Sequence, residues 1–361
     1  NENGLIEEVA ANVPRLDYSD GTCPSLLLEP ASTNLVTQSE DFSNAYWTKT
    51  NATIISNNEI SPNGSLDADK VSLLATSGTS RSVIERGFTV SNTNYSKSVY
   101  LKGFSGGEVV YIMFTKNGIS YSRKECLLTK EWVRFELKSL LTAGGDNILI
   151  GVDKRDSSQS DSVAQSFYIY GAQLEQNSYA TSYIKTVGTT QTRSADTANG
   201  AGNASTFNDS EGVLMAEIEI PNKSTTDSYP IAIFGTGATL QIYYRATSQS
   251  ISFLSSVSGV QYLFHSTINP LGNHKVSLVY KQGQYSAFID GFLMDRQNSG
   301  NVPSNGTLNT LNIGDSGSSN FYGNVKQIQY FDSALNDSEL ETLTSWTSFT
   351  AMANGQSYTI I

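Results

Sequence analysis

Glu217-Ile218-Glu219 is the pairing in this sequence with the most evident catalytic chemistry. Two carboxylates at i and i+2 on a strand share one face, with Cα atoms about 7 Å apart. Glycoside hydrolases build an acid and a nucleophile from such a pair. Ile220-Pro221 follows, so a third acid along the strand is absent. The alternation of Leu214, Ala216, Ile218 and Ile220 makes both glutamates the outward polar face of a half-buried strand. His265 and His274 are the only histidines, and neither has a partner at the spacing of a triad or a metal site. No glycine-rich loop runs into a helix, as phosphate binding would need. These residues point to a non-enzyme, with a glycan-cleaving hydrolase using Glu217 and Glu219 as an alternative.

Sugar recognition is the other chemistry the residue types allow. A pyranose offers an apolar CH face and a ring of hydroxyls, so it calls for aromatic platforms flanked by polar groups. Tyr168 and Tyr170 share one face of a strand over 166–175, with Phe167 and Ile169 on the other. Phe and Ile are the better core fillers, so the tyrosine face is expected to be the wetter one. Tyr111 and Tyr121 are expected nearby. In the second half the candidates are Tyr243 with Arg245, Tyr262 and Tyr322. Packing against a neighbouring loop or subunit explains each equally well. Trp47 reads as a core plug. Asp67, Asp69 and Glu175 offer oxygen ligands for a structural calcium ion, without the ligand array of an EF-hand loop. No other cofactor is expected. Cys23 and Cys126 are too far apart in sequence for a metal knuckle and read as free thiols, one disulfide between them being the alternative.

These side chains must be carried by strands. Hydrophobic residues make up 38% and charged residues only 16%, the difference being filled by Ser, Thr, Asn and Gly. That balance suits β-sandwiches with polar turns. At 361 residues two cores are expected. Strands are expected over 52–56, 69–75, 82–90, 95–102, 108–115, 132–138, 147–152 and 166–175. A second series covers 212–220, 229–234, 239–245, 250–254, 260–265, 274–280, 284–290, 311–314 and 324–331. In Trp132-Val133-Arg134-Phe135-Glu136-Leu137-Lys138 the alternation is plainest. One helix is expected over 336–344, where Asn336 and Glu339 form a capping box and Leu340 and Leu343 an apolar edge. The fold class is therefore all-β, two tandem antiparallel sandwiches with one short C-terminal helix. The boundaries are a leader over 1–34, a jelly roll over 35–186, a linker over 187–210 and a second sandwich over 211–361. The net charge of −11 disfavours nucleic acid and anionic lipid, and no apolar run is long enough to span a bilayer. Asn1-Glu2-Asn3-Gly4 lacks the apolar core of a signal peptide, and the first residues read as a motif already in progress.

Two sets of motifs carry resemblances. Val13-Pro14-Arg15-Leu16-Asp17-Tyr18, Leu26 to Leu35 (LLLEPASTNL), Ser39-Glu40-Asp41-Phe42 and Trp47-Thr48 resemble a module of bacteriophage tail-fibre and virion-surface proteins. Its far end is matched by Gly171-Ala172-Gln173-Leu174-Glu175, Ala180-Thr181-Ser182-Tyr183-Ile184 and Thr192-Arg193-Ser194-Ala195-Asp196. The resemblance covers about the first 200 residues and implies a domain similar to carbohydrate-binding-module jelly rolls. The chain departs from the sugar-binding modules at Gly171, where many carry an acidic residue, which counts against carrying over their calcium site. Leu311-Asn312-Ile313-Gly314, Phe321-Tyr322-Gly323-Asn324-Val325 and Val276 to Tyr280 leading to Asp290-Gly291 resemble laminin-G-like, concanavalin-type sandwiches. Together the resemblances imply a virion fibre or appendage segment, a homotrimer at the virion surface, contacting other virion proteins and binding host-surface glycan. A structural decoration without a ligand is the alternative.

Overall fold

The computed structural model describes residues 1–346 apart from 20, 22, 117–118, 222–227, 305 and 315–319, and only the backbone at 119–121 and 228–230. The chain divides into two compact units. The first comprises Asn1, Asn3–Glu8 and Ala31–Ser194, and the second Glu2, Val9–Pro30 and Ala195–Ile361. The stretch expected as a leader is therefore split, and most of it belongs to the second unit. Its strands β1 (Leu16–Asp17) and β2 (Ser25–Leu28) pair with each other.

The first unit holds β3 (Ser32–Asn34), β4 (Thr48–Thr50), β5 (Ala52–Ile60), β6 (Leu66–Leu73), β7 (Arg81–Val90), β8 (Thr93–Gly103), β9 (Val109–Lys116), β10 (Ile119–Leu127), β11 (Val133–Leu141), β12 (Gly144–Asp153), β13 (Gln165–Glu175) and β14 (Gln191–Arg193). They form two five-stranded antiparallel sheets, β10-β9-β12-β7-β4 and β11-β8-β13-β6-β5, with β14 paired to β3 alongside. Inward residues of both sheets, among them Val71, Ile84, Val99, Phe114, Ile150 and Phe167, make one core. Period-two alternation produces this directly, since each strand feeds every second side chain inward. Phe42 and Trp47 stack at 5.1 Å and are buried in the same core, the plug expected of Trp47. One side chain breaks the apolar pattern. Lys97 is fully buried between Tyr95 and Val99, and its ammonium donates to the Leu149 carbonyl at 2.5 Å in the opposing sheet. Burial lowers its pKa to about 7. The nearby Cys126 thiol is pushed up to about 11 by burial, and both cysteines are free.

The second unit adds β15 (Ala198–Ala201), β16 (Glu211–Ile220), β17 (Ser228–Gly235), β18 (Ala238–Arg245), β19 (Ser250–Val257), β20 (Val260–His265), β21 (Gly272–Lys281), β22 (Gln284–Ile289), β23 (Phe292–Gln297), β24 (Leu308–Ile313) and β25 (Gly323–Phe331). A seven-stranded sheet, β1-β2-β25-β16-β21-β22-β23, faces a six-stranded one, β15-β24-β17-β18-β19-β20. Leu214, Ile218, Ile233, Ile242, Phe253 and Leu278 are among the residues of the core between them. Helix α1 (Asp337–Thr344) starts at the expected capping box, with Glu339 N donating to Asn336 Oδ1 at 3.1 Å and Asn336 N to Glu339 Oε2 at 2.8 Å. Leu340 seals the outer residues Val213, Val279 and Phe288 of the seven-stranded sheet. No helix among the described residues is long and apolar enough to cross a membrane.

Candidate functional site

The polar residues of the first resemblance motif hold the architecture together. Glu175 is buried, and its carboxylate accepts from the Ser32 hydroxyl at 2.5 Å, the Thr181 hydroxyl at 2.5 Å and the Thr181 amide at 2.9 Å. Asn34 donates to the carbonyls of Ala172 and Ile184 and accepts from the amides of Val36 and Leu174. Gln173 accepts from the Ile184 amide at 2.6 Å. In the second unit Arg15 bridges Glu29 at 2.5 Å and Asp196 at 2.6 Å, and Asp196 N donates to the Glu29 carbonyl at 2.9 Å. These motif residues thus form clasps within each unit.

The tyrosine face of β13 is placed as the alternation requires but is not wet. Tyr168 is 9% exposed and Tyr170 2%, so the expectation of an open tyrosine platform is corrected. Tyr170 packs with Tyr100 at 6.4 Å and Tyr183 at 5.5 Å. Its hydroxyl donates to Glu40 at 2.7 Å and accepts from Asn63 at 2.9 Å. Burial, and then the Glu40 carboxylate, raise its pKa above the usual phenol value. Beneath the rings lies Gly171, at φ +64°, where a Cβ would stand 3.2 Å from both Tyr100 and Tyr183. Glycine takes this bend with the least strain. Tyr111 does not stand near Tyr168. It lies on the other sheet, buried, with its hydroxyl donating to Glu125 at 2.9 Å. Tyr121 belongs to β10 of that same sheet, and its side chain lies outside the described residues.

What is open on the β13 face is Phe104. It follows β8 in the turn Gly103-Phe104-Ser105-Gly106-Gly107, where Glu108 accepts from the amides of Ser105 at 2.6 Å and Gly106 at 2.9 Å. A Cβ on Gly103 would stand 2.4 Å from the Glu108 carboxylate, so the clasp needs that glycine. The turn throws the Phe104 ring back over the sheet, 5.9 Å from Tyr168, and leaves it 50% exposed. Lys70 rests its ammonium 4.0 Å from the ring centroid. Register places Lys70 and Lys102 on either side of Tyr168, and Lys102 pairs with Glu59 at 3.3 Å. An aromatic ring in a glycine–serine turn has no core to enter, and that was the available signal.

In the second unit Tyr243 and Arg245 share the outer face of the six-stranded sheet. Arg245 hydrogen-bonds His265 Nε2, whose Nδ1 lies 2.8 Å from Ser252 Oγ. Tyr243 is buried. Tyr262 points inward and stacks on Tyr285 at 5.5 Å and 8°, which makes it core, while Tyr322 is half-buried just before β25. Glu217 accepts from Gln327 at 3.2 Å and Glu219 from Asn324 at 2.9 Å, both on the outer face as expected. His274 is buried against Asp290 at 2.7 Å. Asp67, Asp69 and Glu175 do not converge, and no three His, Cys, Asp or Glu among the described residues form a cation cradle. Asp69 accepts from the amides of Phe42 and Asn57, and burial nonetheless raises its pKa.

No family model matches the sequence, and no curated protein matches it. Solved structures give partial likenesses. The CBM40 of the Ruminococcus gnavus IT-sialidase is 16% identical over 41% of this chain and 95% of its own, with a TM-score of 0.34. A heptameric SAP-like pentraxin from Limulus polyphemus is 12% identical over 42% of this chain and 76% of its own, at 0.34. Domain 4 of AbnA, a GH43 extracellular arabinanase from Geobacillus stearothermophilus, in complex with arabinotriose, is 11% identical over 44% of this chain and 73% of its own, at 0.33. These neighbours are carbohydrate-binding modules and lectin-like β-sandwich domains, similar to this chain at low identity.

Proposed function

We propose that the protein is a non-catalytic glycan-binding segment of a virion fibre or appendage, and that the first unit binds sugar at Phe104. The observation that carries the binding site is the half-exposed Phe104 ring, backed by Tyr168 and with the Lys70 ammonium against it. A sugar CH face laid on such a ring removes apolar area from water while neighbouring charged heads reach its hydroxyls. One shallow site of this kind binds weakly. Repetition on a homotrimer at the virion surface raises the effective affinity without any new contact. The virion setting rests on the order of the N-terminal motifs. The two outward glutamates of β16 are each held by a neighbouring amide side chain, an arrangement that suits a structural polar face as well as a site.

Glycan-array binding of the wild-type chain and Phe104→Ala tests the reading. Loss of Phe104 is expected to weaken the strongest signals about tenfold or more. Unchanged binding removes Phe104 as the platform, and absence of any array signal favours a structural decoration without ligand. Retained cleavage of host glycan by wild type but not by Glu217→Gln/Glu219→Gln would instead establish the hydrolase.

A further inference from the structure

Resting on that reading, we infer that the saccharide taken at Phe104 is an acidic one, carrying a carboxylate at the edge of the ring that stacks. The chain as a whole, at net charge −11, repels anions. The Phe104 face is a local exception. Two ammonium groups flank Tyr168; Glu59 pairs with Lys102, and the Glu108 carboxylate of the Phe104 turn is taken up by the Ser105 and Gly106 amides. Lys70 makes no salt bridge among the described residues, and its charge is placed on the Phe104 ring instead. A cation over an exposed ring is held only weakly. A charge-assisted hydrogen bond to a carboxylate is the stronger contact.

That ordering separates neutral from acidic ligands. A neutral sugar stacking on Phe104 gives the neighbouring Lys70 ammonium no counter-charge. An acidic sugar supplies a carboxylate for it to follow. The four-carbon stem of Lys70 can swing to the edge of the ring without moving β6. The strand itself is fixed, since Val71 and Leu73 are buried in the core. Lys70 therefore acts as the discriminating residue and Phe104 as the platform.

The test uses the full chain against a panel of uronate- and sialate-terminated oligosaccharides, each paired with its methyl ester, which keeps the ring and removes the charge. The acids are expected to bind about fivefold or more tightly than their esters at low salt. Lys70→Gln should bring acid and ester to the same affinity, whereas Phe104→Ala should weaken both. Equal binding of acids and esters that still depends on Phe104 overturns the acidic-ligand inference and leaves the glycan site standing. A preference for acids that survives Lys70→Gln also overturns it. No Phe104-dependent binding to any member, neutral or acidic, sinks the site itself. Circular dichroism of Lys70→Gln, a half-buried surface position, confirms that folding is unchanged.

Discussion

Around Glu175, hydroxyl and amide donors close on a carboxylate sealed from water, whereas around Phe104 an ammonium rests on a ring that is half in solvent. Both regions belong to the first unit, and both involve β13 or its neighbour β8. The Glu175 region carries residues of a motif singled out in the sequence, among them Ser32, Asn34 and Gln173. The Phe104 region is a glycine-rich turn with no motif. The contrast teaches that a specific sequence pattern can report how a chain is closed, while the surface that meets a ligand is written in exposed side chains placed by a turn.

The largest effect should come from breaking the closed side of this contrast. Glu175→Leu takes the carboxylate away from three buried donors, of which the Thr181 hydroxyl alone keeps a second acceptor, the Ser182 carbonyl at 3.5 Å. Each donor left bare costs about 1–3 kcal/mol. The first unit is expected to lose about 3 kcal/mol or more, seen as a separate, earlier thermal transition. A variant that melts with wild type would mean that Glu175 is not a clasp.

Lys97 sharpens the contrast, because it is an interior charge that no carboxylate answers among the residues causing its shift. Its folded pKa of about 7 lies below the ordinary 10.5 of lysine. Between these values the unfolded chain holds the extra proton, so stability rises with pH across that window. Below pH 7 the penalty for charging the buried amine is fully present, on the order of 5 kcal/mol. Lys97→Met should therefore gain on wild type as pH falls from 10 to 7, with the difference flat below, in urea unfolding followed at several pH values. A difference that does not change with pH would mean that Lys97 keeps an ordinary pKa.

The smallest expected effect lies on the open side. Phe104→Ala should shift stability by no more than about 0.5 kcal/mol, since a half-exposed ring adds little to the core. A marked drop in melting temperature would instead make Phe104 a lid for Tyr168 and blur the distinction between the two regions.

Alternation made most strands legible, and it placed Tyr168 opposite Phe167 correctly. It could not say what would lie over the tyrosine side, because Phe104 and Tyr183 arrive from other parts of the chain. Strand β10 was missed because Ile119 to Leu127 mixes charges with no sustained apolar period, and β23 because Phe292 and Leu293 at its start are both exposed. Most of the N-terminal stretch belongs to a unit whose other strands come in the second half of the sequence, a distance no local pattern reports. The capping box at Asn336 is local, and it was read in full.

That distant pairing sets a timetable for synthesis. Leu28 has Gly323 as its cross-strand partner, about 300 residues later. At about 5–20 residues per second, β2 waits roughly 15–60 s on the ribosome before β25 exists. The intervening first unit can fold in that interval from its own residues. Meanwhile the edge of Leu26, Leu27 and Leu28 that later meets β25 remains unpaired, open to chaperones or to the same segment of another nascent chain. Order of emergence thus makes the shortest strands of the second sandwich the longest exposed during its birth.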